Sequence, residues 1–242
     1  MSSRSRQSNR RTGAEMRTQL IEAGIRLLEE VGPEALQARR VAAEVGASSM
    51  TVYTHFEGMP GLLAAIVNEA FVRFGAALAG VAPTEDPVAD FLAMGAAYRS
   101  YALASPQRYR LMFGLTALYA EAAHDITAES LDGGPGPGAF AQLVAVVQRM
   151  IDAGCIRADP ARAVAARIWG LIHGVILLEL TGNLGAQGEA VNTVLGPAIV
   201  DLLAGMGATR EQLDAAVARV QADLAIESDS AATGSGAVTE SS

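Results

Sequence analysis

Several residue types that mark common protein classes are scarce in this sequence. The 242 residues include one cysteine, Cys155, so an intrachain disulfide and a zinc site built from several thiolates are both excluded. The three histidines, His55, His124 and His173, are scattered, and no His-Glu-x-x-His or Gly-x-Ser-x-Gly motif occurs. We therefore expect no catalytic residue, no metal ligand and no cofactor, and we interpret the chain as something other than an enzyme.

Aromatic residues are also few, at 5% of the chain, whereas 50% of the residues are hydrophobic. A core must then be built mainly from alanine, leucine, valine and isoleucine. Apolar residues recur at helical spacing and strand-type alternation is hard to find, so the predicted fold class is all-α. The sequence shows no secretory signal, and its most apolar run, residues 168–180, is shorter than the roughly 20 residues that span a bilayer. We expect a cytoplasmic protein without a membrane partner.

Lysine is absent, and the net charge of −8 is unevenly distributed. Residues 1–56 carry eight arginines against six acidic residues, while residues 57–242 carry ten arginines against twenty acidic residues. The four arginines of the first eleven residues all precede the first acid, Glu15. This asymmetry indicates a phosphate partner at the N-terminal end only, with a simple solvated tail as the alternative. Because residues 1–11 offer almost nothing apolar to bury, we predict that they form a disordered, arginine-rich arm.

The stretch 37–56 predicts two short helices, residues 37–45 and 48–56, joined by a turn at Gly46. Its apolar residues recur at helical spacing and would face a shared core, while the other positions are mostly small, polar or basic. Such a pair of helices is typical of a DNA-binding helix-turn-helix, whose second helix lies in the major groove. The residues predicted to contact DNA are Arg39, Arg40, Ser48, Ser49, Met50, Thr51, Tyr53, Thr54 and His55.

The types of these residues suit different parts of DNA. Hydroxyl groups such as those of Ser48 and Ser49 can donate or accept at base edges, and Met50 or the methyl group of Thr51 can contact a thymine methyl. Arginines on the first helix suit phosphate oxygens, although surface arginines are equally compatible with simple solvation.

The helix-turn-helix lies within a longer pattern. A first helix that ends at Gly32 is followed by Val41-Ala42, Val45-Gly46, Tyr53, His55-Phe56 and, after a short break, Leu62-Leu63. Together these positions resemble the tetracycline-repressor-like (TetR) family over residues 13–73. The resemblance implies that Tyr53 and His55 hold backbone phosphates, with a purely structural role as the alternative for His55. Two positions depart from the family: Gln37 stands where a serine or threonine cap is common, and Met59 where a phosphate-binding lysine is common.

The rest of the chain predicts further helices and their breaks. Capping boxes at Thr12/Glu15 and Thr209/Gln212 predict helix starts, and we expect a helix over residues 116–131 followed by a flexible loop over the glycine- and proline-rich residues 132–138. The predicted domains are a helix-turn-helix domain over residues 12–60, a helical ligand-binding and dimerisation domain over residues 61–226, and a disordered tail over residues 227–242.

Trp169, His173 and Gly174 are similar to the Trp-His-Gly (WHG) type of ligand domain in this family. Trp169 and His173 lie one helical turn apart and share a helix face. With nearby tyrosines and methionines they could line an apolar cavity for a small effector, or each could simply pack in the core. The residues predicted to bind the ligand are Tyr98, Tyr101, Tyr109, Met112, Phe113, Trp169 and His173.

The resemblance implies a homodimer on double-stranded DNA, and one short recognition helix alone would give little specificity. The last helix, predicted over residues 209–226, could extend the dimer interface or cover its own subunit. We predict a DNA-binding transcriptional regulator, a repressor that a small apolar effector releases from its operator. The alternatives are a helical small-molecule enzyme and a ligand-independent DNA binder or activator.

Overall fold

The computed structural model describes residues 2–115, 135–186 and 188–235, and every regular element in these ranges is helical. The predicted all-α fold class is confirmed. The elements are α1 (Ser2–Glu30), a 3-10 turn (Pro33–Ala35), α2 (Ala38–Glu44), α3 (Ser49–Phe56), α4 (Met59–Ala79), α5 (Pro87–Ala104), α6 (Pro106–Met112), α7 (Pro135–Asp152), α8 (Ala161–Leu180), a π-helical segment (Val191–Leu195), α9 (Gly196–Gly205) and α10 (Arg210–Ser235).

Contacts between Cα atoms divide the chain into two compact units. The first unit comprises Met1–Ala76 and Ser100–Ala139, and the second unit comprises Ala77–Arg99 and Phe140–Ser242. The domain boundary that the sequence suggested at residue 60 differs from this division. One reason is that α4 continues past that point without a break, and another is that α6 packs on α1. Contacts between elements so far apart in sequence leave no periodic pattern from which they could be predicted.

Helices α1 and α4 form the centre of the first unit. Leu20 and Leu28 of α1 are completely buried, as are Leu62 and Ile66 of α4. The two helices approach closely at Gly24, where an added Cβ would lie 2.4 Å from the Cδ1 atom of Ile66. Helix α1 also contacts α2 and α3, so it is the platform on which the helix-turn-helix rests.

The second unit is filled by large apolar side chains from four helices. Phe91 of α5, Met150 of α7, Ile168 of α8 and Leu203 of α9 are all almost completely buried. Arg149 of α7 also donates to the carboxylate of Asp90, which holds the first turn of α5 against α7. Apolar packing therefore supplies the body of this unit, and an ion pair fixes one of its edges.

The start of α10 belongs to the core of its own second unit. Leu213 and Ala216 are completely buried, whereas Leu224 is 46% exposed. The predicted capping box is confirmed, because the backbone N–H of Gln212 donates to Thr209 Oγ1 at 3.2 Å and the N–H of Thr209 donates to Gln212 Oε1 at 3.0 Å. The first turns of α10 thus cover their own subunit, and a role in a dimer interface stays a prediction.

Several helices extend further than their sequence patterns predicted. The backbone of residues 2–11 is helical and continuous with α1, so the prediction of a disordered arm there, and of a helix start at Thr12, differs from the structure. Similarly, α10 continues to Ser235 into the predicted tail. Propagating an existing helix is far easier than nucleating one, so polar residues without a breaker can remain helical at its ends.

The glycine- and proline-rich segment also contains more helix than its sequence predicted. Residues 132–138 were expected to form a loop, but α7 already begins at Pro135. Proline is tolerated in the first turn of a helix, where its missing N–H would have no intrahelical partner. The helix predicted over residues 116–131 lies outside the described residues.

By length and composition alone, α4 and α8 could cross a membrane. The helix α8 is longer than the apolar run at 168–180 that the sequence suggested. The same test is passed by the core helices of soluble proteins, and half of the most apolar window of α4 is buried inside the protein.

Candidate DNA-binding surface and ligand site

The turn between α2 and α3 is closed by backbone hydrogen bonds. The N–H of Ala47 donates to Ala42 O at 2.9 Å, and the N–H of Gly46 donates to Ala43 O at 3.1 Å. Gly46 has a φ of 67°, a left-handed conformation that glycine adopts without steric cost. Ser48 then takes an extended conformation at the N-terminus of α3. The predicted turn at Gly46 is confirmed.

The inner faces of the two helices are firmly packed. Val41, Ala42 and Val52 are almost completely buried, and Phe56 is 6% exposed. The guanidinium of Arg17 in α1 lies 5.0 Å from the centroid of the Phe56 ring, which fixes the end of α3 on α1. The apolar spacing in the sequence therefore identified these four positions correctly, whereas Val45, which has the same spacing, is half-buried.

The first turn of α4 approaches the last turn of α3 very closely. A Cβ added to Gly61 would lie 1.9 Å from the carbonyl oxygen of Phe56. Any side chain at this position would push the two backbones apart, so glycine sets the angle at which α3 leaves the bundle.

The predicted DNA contacts lie on α2, α3 and the residue before α3. Met50 and Tyr53 are 67% and 55% exposed, which is unusual for such large side chains in a closely packed bundle. His55 is partly covered and lies beside α1, since a Cβ on Gly13 would be 3.9 Å from its Cε1 atom. Most of the set is exposed (Arg39, Arg40, Ser48, Ser49, Met50, Tyr53 and Thr54), while Thr51 and His55 are half-buried.

Thr54 and Gln37 both use side-chain donors for hydrogen bonds within the protein. The hydroxyl of Thr54 donates to Met50 O at 2.9 Å, so only its oxygen is left to interact outward. Gln37, at the cap of α2, makes no side-chain capping bond and instead donates from Nε2 to Glu34 O at 3.2 Å. The N-terminus of α2 therefore lacks the side-chain cap that a serine or threonine would supply.

Three of the predicted ligand residues meet in the second unit. The rings of Trp169 and His173 stack with their centroids 5.0 Å apart, and Tyr98 Oη lies 3.3 Å from His173 Nδ1. Burial lowers the pKa of His173 to about 4, so its imidazole is neutral at pH 7.

The other four predicted ligand residues lie in the first unit. Tyr101 donates from its hydroxyl to Ala70 O at 2.7 Å, and burial raises its pKa to about 12. Tyr109 and Met112 are buried, and the ring of Phe113 packs against that of Tyr109 with centroids 4.8 Å apart. The predicted set thus falls into two groups in different units, and the burial of Tyr109 and Met112 favours core packing for those two.

An apolar cavity that was not predicted lies in the second unit. It has a volume of about 120 Å³ and lies among α5, α8, the π-helical segment and α9. Gly95, Ala96 and Arg99 line its α5 wall, facing residues such as Ile172 and Ile199. None of the seven predicted ligand residues lines it. The adjacent small residues of α5 are the signal that could have indicated free space here.

An ion pair at the edge of this cavity was also missed. Arg99 Nε donates to Glu179 Oε2 at 2.9 Å, and Arg99 Nη2 donates to Glu179 Oε1. Glu179 also accepts the N–H of Gly188 at 3.0 Å. The hydrogen bonds from Arg99 hold the pKa of Glu179 below its usual value, against the opposite effect of burial. The two residues are 80 positions apart in sequence, which explains why no local pattern pairs them.

Comparisons with known proteins bear on both units. The family model for bacterial regulatory proteins of the tetR family matches residues 20–66, which include α2 and α3. A tetracyclin repressor-like C-terminal domain model matches residues 91–202. The chain belongs to the TetR family. The predicted recognition is confirmed, and the C-terminal match contains the Trp169–His173 pair and the cavity.

Individual relatives of this TetR-family chain agree with the assignment. An uncharacterized HTH-type transcriptional regulator, Rv0681 of Mycobacterium tuberculosis, is 25% identical over 177 residues, which cover 69% of this chain and 71% of the relative. A TetR-family transcriptional regulator from Pectobacterium atrosepticum has a similar structure, with a TM-score of 0.64, 20% identity and coverage of 81% of this chain and 96% of that one. The structure of RolR in complex with resorcinol is also similar, with a TM-score of 0.57, 16% identity and coverage of 85% and 95%.

These relatives fix the class of the protein. The family and the curated relative are transcriptional regulators and not enzymes, so the predicted role as a DNA-binding transcriptional regulator is confirmed at the level of the family. The two similar structures are less than 25% identical to this chain, so they support the fold and not the function.

Proposed function

We propose that this TetR-family regulator is a cytoplasmic homodimeric repressor that binds a double-stranded DNA operator and leaves it when a small apolar effector binds. The observation that carries the proposal is the contrast between the two faces of α3. One face is fixed on the bundle by Val52 and Phe56, and the other leaves Met50 and Tyr53 largely uncovered. A rigid helix with an open outer face is what readout in a major groove needs.

The proposed contacts follow from side-chain chemistry. Ser48, Ser49 and Met50, at the start of α3, meet base edges, where hydroxyls hydrogen-bond and the methionine contacts a thymine methyl. Tyr53 donates to a backbone phosphate, and Arg40 neutralises another. An eight-residue helix reaches few bases, so a two-fold dimer with half-sites about 34 Å apart supplies the remaining specificity.

Release by an effector needs no new contact with DNA. A ligand that binds more tightly to a conformation with the recognition helices at the wrong spacing shifts the population away from the operator. Support for a small effector comes from the similar RolR structure, which holds resorcinol. No bound cofactor is needed in this mechanism.

The test is binding of the full chain to the DNA upstream of its own gene, followed by fluorescence anisotropy. Met50→Ala should weaken binding to this DNA about fivefold or more, because an apolar base contact is lost. Ile226→Ala is the matched control, since Ile226 is 65% exposed on α10 and Met50 is 67% exposed on α3. Equal affinity of the two variants, or no binding of the wild type at any salt concentration, would contradict the proposal.

A second pair of variants separates phosphate contacts from base contacts. Arg40→Ala should weaken binding to unrelated DNA as much as to the operator, and it should lower the slope of log affinity against log salt by about 1. Met50→Ala should leave binding to unrelated DNA unchanged. If Arg40→Ala leaves the salt slope of the wild type intact, then Arg40 is a solvated surface residue.

A further inference from the structure

One face of α1 changes from apolar to basic along the length of the helix. Near the C-terminal end this face carries Gly24 and Leu28, which are both buried in the first unit. Successive residues of an α-helix are rotated by about 100°, so Arg17, Arg10 and Arg6 follow on the same face toward the N-terminus, within about 20° of one line. These three arginines form the basic face of α1.

The other charged residues at this end of α1 lie on the opposite side of the helix. Arg4, Arg11 and Glu15 are rotated by about 120–160° from the position of Arg17. Glu15 is the first acidic residue of the chain, so no acid interrupts the basic face over residues 2–17. Arg10 and Arg11 are neighbours in sequence and yet occupy different sides, so their contributions can be compared directly.

Two contacts fix the basic face beside the end of the recognition helix. The guanidinium of Arg17 lies 5.0 Å from the centroid of the ring of Phe56, the last residue of α3. One turn closer to the N-terminus, a Cβ added to Gly13 would lie 3.9 Å from the Cε1 atom of His55. The line of the basic face therefore passes the C-terminal end of α3 and continues along the same helix.

The charge of Arg17 is not compensated by a neighbouring acid. Arg17 is exposed, and within the described residues it takes part in no ion pair. It lines a groove together with Gly61 and Ala64 of α4. The groove also contains Glu69, but the carboxylate of Glu69 is paired with Arg73. A guanidinium that rests on an aromatic ring and has no acidic partner is suited to bind a phosphate oxygen.

The length of the basic face matches a run of phosphates. Between residues 17 and 6 the helix rises by about 17 Å, since each residue adds about 1.5 Å. A strand of B-DNA carries one phosphate per ~3.4 Å of helix axis, so the face spans up to about five phosphates. Arginines on a preformed helix also lose less conformational freedom on binding than arginines on a disordered arm.

From the uninterrupted charge, the contacts with α3 and the length, we infer that the basic face of α1 binds the phosphate backbone of DNA beside the recognition helix, whereas Arg4 and Arg11 make no phosphate contact. The inference rests on the proposed function in taking DNA as the partner. It adds a contact surface that lies outside the helix-turn-helix and reads no base.

The test is a salt titration of the full chain with an unrelated DNA duplex of mixed sequence, followed by fluorescence anisotropy. Each phosphate contact contributes about 0.9 to the slope of log affinity against log salt. Arg10→Ala should therefore lower the slope by about 1, while Arg11→Ala, the matched control, should leave it unchanged. Equal slopes of the two variants would overturn the inference, because arginines on a mobile arm are equivalent.

A change of helical register provides an independent test. One alanine inserted between Thr12 and Gly13 rotates all preceding residues by about 100° relative to the bundle and leaves the charge unchanged. Arg11 then lies seven residues before Arg17, as Arg10 does in the wild type. In the chain with this insertion, Arg11→Ala should lower the slope and Arg10→Ala should not. Effects that stay with Arg10 despite the insertion would contradict a helical face.

Arg17 needs its own controls because it also packs on Phe56. Arg17→Lys keeps the charge and should keep the slope, whereas Arg17→Met keeps an aliphatic chain on the ring and should lower the slope by about 1. Arg26→Ala changes another exposed arginine of α1, far from α3 in sequence register, and should have no effect on the slope. A wild-type slope in Arg17→Met would show that Arg17 acts by packing alone and would overturn the inference.

Failure of this inference can be distinguished from failure of the proposed function. Equal affinity of the wild type for the DNA upstream of its own gene and for the unrelated duplex would contradict the proposed function and not the basic face. Tighter binding to the upstream DNA, together with equal slopes of Arg10→Ala and Arg11→Ala, would contradict the inference alone. Circular dichroism of each variant confirms that it has folded before its slope is compared.

Discussion

Removing one partner of the ion pair between Arg99 and Glu179 should strongly lower the stability of the protein, and Glu179→Gln tests this. The side chains are 15% and 2% exposed, so both charges have left water. Removing one partner of a buried pair typically costs about 3–5 kcal/mol, because the remaining charge is left without compensation. Glutamine keeps the shape and can still accept one hydrogen bond from Arg99 or Gly188. We therefore expect a loss of about 2–4 kcal/mol of unfolding free energy.

The measurement is urea unfolding at a fixed protein concentration, followed by the fluorescence of the single tryptophan, Trp169, which lies on α8 with Glu179. Asp214→Asn is the matched control. Its ion pair with Arg210 on α10 has an N···O distance of 3.8 Å and side-chain exposures of 75% and 70%, so its loss should cost less than about 0.5 kcal/mol.

Two outcomes would refute this account of the pair. The first is a loss in Glu179→Gln that is no larger than the loss in Asp214→Asn. The second is a double variant, Arg99→Met with Glu179→Leu, that is as unstable as the sum of its single variants. Replacing both charges by apolar groups leaves no charge unpaired, so most of the stability should return.

The pH dependence of stability tests whether Glu179 stabilises the folded chain in its ionised form. The folded pKa of Glu179 lies below its usual value, because Arg99 donates to the ionised form. The stability that this carboxylate adds is present above the pKa of the unfolded chain and is lost as pH falls through the lower, folded pKa. The difference between wild type and Glu179→Gln should therefore be full near neutral pH and shrink below about pH 4.5.

The remaining predictions concern a glycine, a histidine and the arginines of residues 1–11. Gly61→Ala should lower the free energy of unfolding by about 2 kcal/mol or more, since the new Cβ would overlap Phe56 O. Gly170→Ala is the control, because a Cβ there has nothing within 4 Å, and it should raise the free energy of unfolding by about 0.5–1 kcal/mol. Equal melting temperatures of the two variants would refute the steric argument. His173 has a folded pKa of about 4 against 6.5 in its unperturbed state, so the unfolded chain binds the extra proton and stability should fall as pH drops from 6.5 to 4. That part of the pH dependence should be missing from urea melts of His173→Phe. Deleting residues 1–11 removes four arginines, so operator affinity and its salt slope should both decrease in a salt titration. An unchanged slope would show that these arginines do not contact phosphate.

Local features of this protein were predictable because they depend on neighbours along the chain. The spacing of Val41, Val52 and Phe56 identified the inner face of the helix-turn-helix, and the exposed residues of α3 follow from the same period. Gly46 marked the turn, since a left-handed residue favours glycine. The Thr209/Gln212 pair marked the start of α10, since both capping partners lie within one turn.

The extent of the helices was less predictable. Proline and glycine around residue 135 suggested a loop, and the polar residues 2–11 suggested an arm, but both belong to helices. A prediction from local composition considers each segment by itself. In the folded chain, however, a helix that has already nucleated nearby extends into such a segment at little cost. The end of a helix is therefore decided partly by what precedes or follows the segment.

The sequence by itself determined the fold class, the location of the recognition helix and the family, because these depend on short-range periodicity and on residues in register. The tertiary structure alone decided how the ligand candidates are grouped, where the cavity lies, and that Arg99 pairs with Glu179 across 80 positions. Pairing between distant helices depends on the packing of the whole unit, which no window of sequence contains. Short-range periodicity therefore predicts the outer face of α3, whereas only the tertiary structure reveals the cavity beside Arg99.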